Sequence, residues 1–96
     1  MIKIELRLVG SLAGFAGKSE VAVALDGNAS VRSLFETLEG MFGAELQRAL
    51  VDPEMNDPRP RNLILVNGVE ISLLEELDTK LKDHDVVTIV PVTHGG

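Results

Sequence analysis

Ninety-six residues make room for one domain and not two, and a chain this short buries only somewhat over ~60% of its unfolded surface. A net charge of −6 with only three aromatics, Phe15, Phe35 and Phe42, argues against direct binding of nucleic acid or an anionic membrane. The lack of cysteine excludes disulfides, thiolate nucleophiles and cysteine metal sites, and no apolar run approaches the ~20 residues of a membrane span. The acidity suits a partner with a basic surface, although mild acidity also keeps any small domain dissolved. The start, Met1 to Leu8, alternates instead of forming a basic-then-apolar leader, so a soluble, cytoplasmic chain, monomeric when alone, is expected.

In chain order, Met1 to Val9 is predicted as a strand, with Ile2, Ile4, Leu6 and Leu8 on one face and Lys3, Glu5 and Arg7 on the other. Gly10 to Gly17 holds three glycines and is predicted as a turn. Glu20 to Leu25 alternates again, Val21, Val23 and Leu25 pointing inward, which completes a hairpin. Asp26-Gly27-Asn28 breaks the pattern, and Ser30 is placed to cap a helix carrying Val31, Leu34, Phe35, Leu38 and Phe42 at helical spacing, closed by Gly43. Ala44 to Val51 is predicted as a second short helix. Asp52 to Asn62, with Pro53, Pro58 and Pro60, must be an irregular loop. Leu63 to Val66 is a strand, Asn67-Gly68 a tight turn, and Val69 and Ile71 continue beyond it. Ser72 to Leu81 is a crossover, Val86 to Val92 the last strand, and Thr93 to Gly96 a polar tail. The order predicts an α+β domain: a mixed sheet wrapped over one main helix, its first and last strands parallel at the centre.

Few residues offer chemistry. The histidines are His84 and His94; His84 lies in Lys82-Asp83-His84-Asp85, an exposed turn with too few neighbours to hold a metal, and no metal site is expected. Gly17-Lys18-Ser19 lacks the upstream glycine of a phosphate loop and leads into a strand, where a phosphate loop leads into a helix. No bound cofactor and no catalytic residue are expected. The diglycine Gly95-Gly96 stands apart. At average usage two terminal glycines arise by chance in roughly 0.5% of chains, so the pair alone is a weak signal and a frayed end is the plain alternative. A chemical role exists nevertheless. An α-carboxylate can be activated on ATP as an acyl adenylate if the end threads a narrow cleft, and the missing Cβ atoms permit that close approach. Four extended residues reach ~13 Å.

Leu65-Val66-Asn67-Gly68, then Leu77-Asp78-Thr79-Lys80-Leu81-Lys82-Asp83-His84-Asp85-Val86-Val87, then Gly95-Gly96, resemble the prokaryotic sulfur carriers of molybdopterin and thiamine synthesis, which are ubiquitin-like proteins. The ending Thr93-His94-Gly95-Gly96 and the preceding Leu-Asp-x-x-Leu-x-Asp-x-Asp pattern are more similar to the ubiquitin-related modifiers, which serve tRNA thiolation and protein conjugation. The resemblance covers nearly the whole chain and is most specific in its last thirty or so residues. Molybdopterin carriers usually have a small residue where this chain has His94 and a glycine where it has His84, yet they match the proline-rich loop better.

The resemblance implies a ubiquitin-like β-grasp domain over residues 1–92 and a flexible diglycine tail over 93–96. It implies a protein co-substrate, not an enzyme. An E1-like adenylyltransferase, supplying ATP and Mg²⁺, would adenylate Gly96, and a sulfur donor protein would convert it to a thiocarboxylate. A tRNA thiolation enzyme or the large subunit of molybdopterin synthase would then take the sulfur, or lysines of target proteins would be acylated. Two alternatives stand beside this: a small subunit held in molybdopterin synthase, and a non-covalent interaction domain with an inert diglycine. Thr93 and His94 are candidate partner contacts with Gly95 and Gly96. So are Leu65 and Val90, expected side by side on the open face of the sheet as an apolar docking patch.

Overall fold

The computed structural model describes residues 1–92, and the tail expected over 93–96 lies outside the described residues. The alternating segments form strands as expected: β1 (Ile2–Leu8), β2 (Glu20–Leu25), β3 (Asn62–Val66), β4 (Val69–Glu70) and β5 (Val86–Pro91). They make one sheet in the order β2-β1-β5-β3-β4. β1 runs parallel to β5, with Glu5 opposite Val86 and Leu8 opposite Ile89, while the other neighbours are antiparallel. This is the ubiquitin-like β-grasp arrangement, a mixed sheet holding a helix.

Three helices complete it: α1 (Ser11–Ala16), α2 (Val31–Glu39) and α3 (Ala44–Leu50). α2 is the main one. Ser30 caps it as expected: its Oγ accepts the Ser33 N–H at 3.3 Å, and Ser33 Oγ accepts the Ser30 N–H at 2.8 Å. Val31, Leu34, Phe35 and Leu38 are buried in one cluster with Ile4, Leu6, Val23, Leu25, Ile64, Val87 and Ile89. The inward residues of the four longer strands thus close on the apolar stripe of α2.

Four expectations need correction. Gly10 to Gly17 is not a bare turn: Ser11–Ala16 is helical, because Leu12 is fully buried and pulls the segment onto the core, with Ala13 and Ala16 packed against it. Two of its glycines punctuate the helix from outside, Gly10 and Gly17 at φ of 62° and 81°, and the Gly17 N–H closes on the Ala13 carbonyl at 2.9 Å. α2 ends at Glu39 and not beyond Phe42, for Gly40 already stops it; Gly43 instead opens α3. β3 begins at Asn62, one residue early, because the buried Asn62 pairs with Pro91. The last strand stops at Pro91, although the Val92 N–H still reaches the Arg61 carbonyl at 2.9 Å. The crossover contains two 3₁₀ turns, Ile71–Leu73 and Glu76–Asp78, which bury Ile71 and Leu77.

Candidate functional site

The strand that leads toward the diglycine is β5, and it lies at the middle of the sheet between β1 and β3. Alternation gives it a core side, with Val87 and Ile89 fully buried, and an outer side, with Val86, Thr88 and Val90 half-buried. On β3 the same alternation buries Ile64 and Val66 and turns Leu63 and Leu65 outward. The strand faces expected for Leu65 and Val90 are therefore correct. Register refines their relation: Val90 stands opposite Leu63, and Leu65 opposite Thr88, so the two are diagonal neighbours.

The apolar surface is wider than those two residues. Leu63 is 40% exposed, and Val9 and Val92, which follow β1 and β5 at the same end of the sheet, are 41% and 43% exposed. Leu63-Ile64-Leu65 is an unbroken apolar run, so the sequence alone does not mark Leu63 as outward. At one border Arg7, in register with Thr88, donates Nε to Glu5 Oε2 at 2.5 Å.

The exit of β5 from the sheet is well defined. On the β1 side the last contact is the Val9 N–H to the Ile89 carbonyl, 3.2 Å. On the β3 side pairing continues through Pro91, and the Val92 N–H donates to the Arg61 carbonyl at 2.9 Å. Loop 52–61 holds that carbonyl. The loop is built from local turns: Asp52 Oδ1 accepts the N–H groups of Glu54 and Met55 at 2.9 and 3.1 Å, and Asp57 Oδ1 accepts that of Arg59 at 2.9 Å. The Arg59 guanidinium also grips Asp57 and holds its carboxyl below the usual carboxylate range. Ser72 likewise lowers Glu70, whose carboxylate accepts the Ser72 N–H at 3.0 Å.

The remaining sequence candidates divide. His84 sits in a turn at φ 71° with its side chain 88% exposed, 3.2 Å from Asp83, at the opposite end of β5 from Val92. Among the described residues no cluster of three or more His, Asp or Glu could hold a metal ion. Gly17-Lys18-Ser19 leads into β2. Thr93, His94, Gly95 and Gly96 lie outside the described residues. No helix among the described residues is long and apolar enough to cross a membrane.

Comparison with known proteins extends this. The model of the ThiS family matches residues 6–96. Small archaeal modifier protein 3 of Haloferax volcanii is 27% identical over 95 residues, which span 99% of this chain and all of that protein. The solution structure of small archaeal modifier protein 1 from Methanosarcina acetivorans superposes with a TM-score of 0.84 at 26% identity, covering 100% of this chain and 98% of that one. A Pyrococcus furiosus protein assigned as molybdopterin converting factor subunit 1 superposes at 0.74, also at 26% identity, covering 97% and 100%. A family match that takes in both the β-grasp core and the terminal diglycine shows that the chain belongs to the ThiS family, among the ubiquitin-like sulfur carriers and small modifiers.

Proposed function

We propose that this chain is a protein co-substrate whose Gly96 carboxylate is activated by a partner. The observation that carries this is the course of β5: the central strand of the sheet heads for Gly95-Gly96 beside the apolar face of Leu63, Leu65 and Val90. A rigid domain can then dock by that face while the residues beyond Val92 enter a cleft. A carboxylate oxygen of Gly96 attacks the α-phosphate of ATP, pyrophosphate leaves, and a glycyl adenylate remains on the partner. Sulfide attacking the acyl carbon expels AMP and leaves a thiocarboxylate directly; a donor protein's persulfide would expel AMP to give an acyl disulfide, which a second thiol then cleaves, releasing the thiocarboxylate as that thiol and the donor sulfur form a disulfide. A lysine amine attacking the same adenylate, directly or after transfer, would give an isopeptide bond instead. ATP and Mg²⁺ belong to the partner. The setting is the cytoplasm, where such enzymes and their acceptors, a tRNA thiolation enzyme among them, would meet the carrier.

The likeness to the small archaeal modifiers supports the reading as carrier and modifier together. The likeness to the molybdopterin converting factor subunit supports a second reading, in which the tail serves a molybdopterin synthase large subunit in a stable complex. Incubation with an E1-like adenylyltransferase, ATP, Mg²⁺ and sulfide, followed by intact-mass measurement, tests the first. The expected product has one oxygen replaced by sulfur at Gly96. An unchanged mass with an enzyme that activates another carrier would overturn it. Recovery of the native protein in a fixed complex with a catalytic subunit would favour the second.

A further inference from the structure

We infer that Asn62 is a positioning residue for the activation of Gly96, setting where the chain leaves the sheet; the inference rests on the carrier reading. Asn62 is 4% exposed, one of the few buried polar residues among the described ones. Its backbone pairs with Pro91 in β5. Its side chain points the other way, into the junction of α3 and loop 52–61. There Nδ2 donates to the Leu50 carbonyl at 2.8 Å and lies 3.2 Å from the carbonyls of Ala49 and Pro58. The Ala49 and Leu50 carbonyls belong to the open end of α3, which has no intrahelical partner for them, while the Pro58 carbonyl also accepts the Arg61 N–H.

The amide oxygen of Asn62 is buried with no partner among the described residues. Burying an unpaired carbonyl is unfavourable, so what this position requires is the donor. That donor ties α3 and the loop to Asn62, whose backbone in turn pairs with β5. The adjacent Arg61 carbonyl accepts the Val92 N–H, the last hydrogen bond the described chain makes, and the Arg61 N–H returns to Pro58 at 3.2 Å. Gly96 stands four residues beyond Val92. Release of Arg61 would move the anchor of that span back along β5 and spread the positions its acyl carbon can occupy. The outer face that docks would be unchanged, because Leu63, Leu65 and Val90 point away from Asn62.

The test is Asn62→Ala in the full chain, with two readouts. Amide hydrogen exchange of the free protein should show Val92 losing protection while Ile89 keeps it. Steady-state adenylation should show kcat lowered roughly tenfold and KM for the carrier within about twofold of wild type, since misplacement of a reacting group acts on the chemical step. Asn62→Gln, which keeps the donor, should recover part of kcat. Should Asn62→Ala fail to melt cooperatively, Asn62→Ser, with one hydroxyl donor toward the Leu50 carbonyl, carries the same test with smaller effects. Unchanged Val92 protection overturns the inference, as does an unchanged kcat with Val92 unprotected. A wild-type protein that a competent enzyme never adenylates overturns the carrier reading instead, and the exchange measurement still decides the clamp by itself.

Discussion

Single residues carry this fold unevenly. Phe35 is one of only three aromatics, and its ring is 5% exposed on the face of α2 that meets the sheet. Helical spacing alone identifies it, because no other register places Val31, Leu34 and Leu38 on the same stripe. Phe35→Ala should lower the unfolding free energy by about 3–5 kcal/mol, a large share of a small domain's stability. Chemical denaturation measures it, and a loss below about 1 kcal/mol would mean that the ring does not fill the core. His84 shows the opposite case. Its left-handed φ of 71° is an unusual conformation for a residue with a Cβ, and nothing in Lys82-Asp83-His84-Asp85 except the turn itself announces it. The turn is nonetheless held: the His84 N–H donates to the Lys3 carbonyl at 2.8 Å, and Asp83 accepts the Lys3 N–H at 2.8 Å.

Among the elements, strands and α2 were legible and α1 was not. β1 and β2 alternate cleanly, so both their existence and their inward faces follow from period two. α1 is six residues long, has a glycine inside it and no side-chain cap, so its local signal is that of a turn; tertiary burial of Leu12 is what makes it helical. An asparagine beside prolines reads as irregular chain, so Asn62 looks like part of the loop, and only the partners of its amide give it a role. The paired strands β3 and β5 also carry the docking prediction. Leu65→Asp with Val90→Asp puts two charges on a face that an apolar partner must dehydrate, so affinity for the activating enzyme should fall by several kcal/mol. A thermal melt of the free variant should stay close to wild type, because both side chains lie on the outer side of the sheet. Titration calorimetry decides the matter: unchanged affinity removes the patch as a docking surface, and high partner concentration should partly restore adenylation.

At the scale of the molecule, the proposed function divides the labour between the folded sheet and the diglycine. Removal of Gly96, or one residue added after it, should abolish thiocarboxylate formation and leave the melting temperature unchanged. No described part of the core depends on the tail, whereas the proposed activation would need a free glycyl carboxylate at fixed reach. Intact mass and a thermal scan of both variants check this, and retained activation in either would show that the diglycine is not the reacting end. Of this larger picture, the mixed sheet and its parallel central pair were legible from element order. The diglycine was legible as a motif, and the family match gives it context. The limits of the outer apolar face were not, since register between distant strands is absent from any local pattern.

The parallel pairing of β1 with β5 has a consequence for how the protein is made. Residues such as Glu5 and Val86 are neighbours in the finished sheet, although most of the chain lies between them. Closing so long a loop is slow and comes with little local reward, so folding waits until β5 exists. During synthesis, the segment that completes the core is thus the one that runs into the diglycine. On the proposed function, a truncated chain would lack either the completed outer face or the diglycine, and an activating enzyme that needed both would engage only molecules that had finished folding.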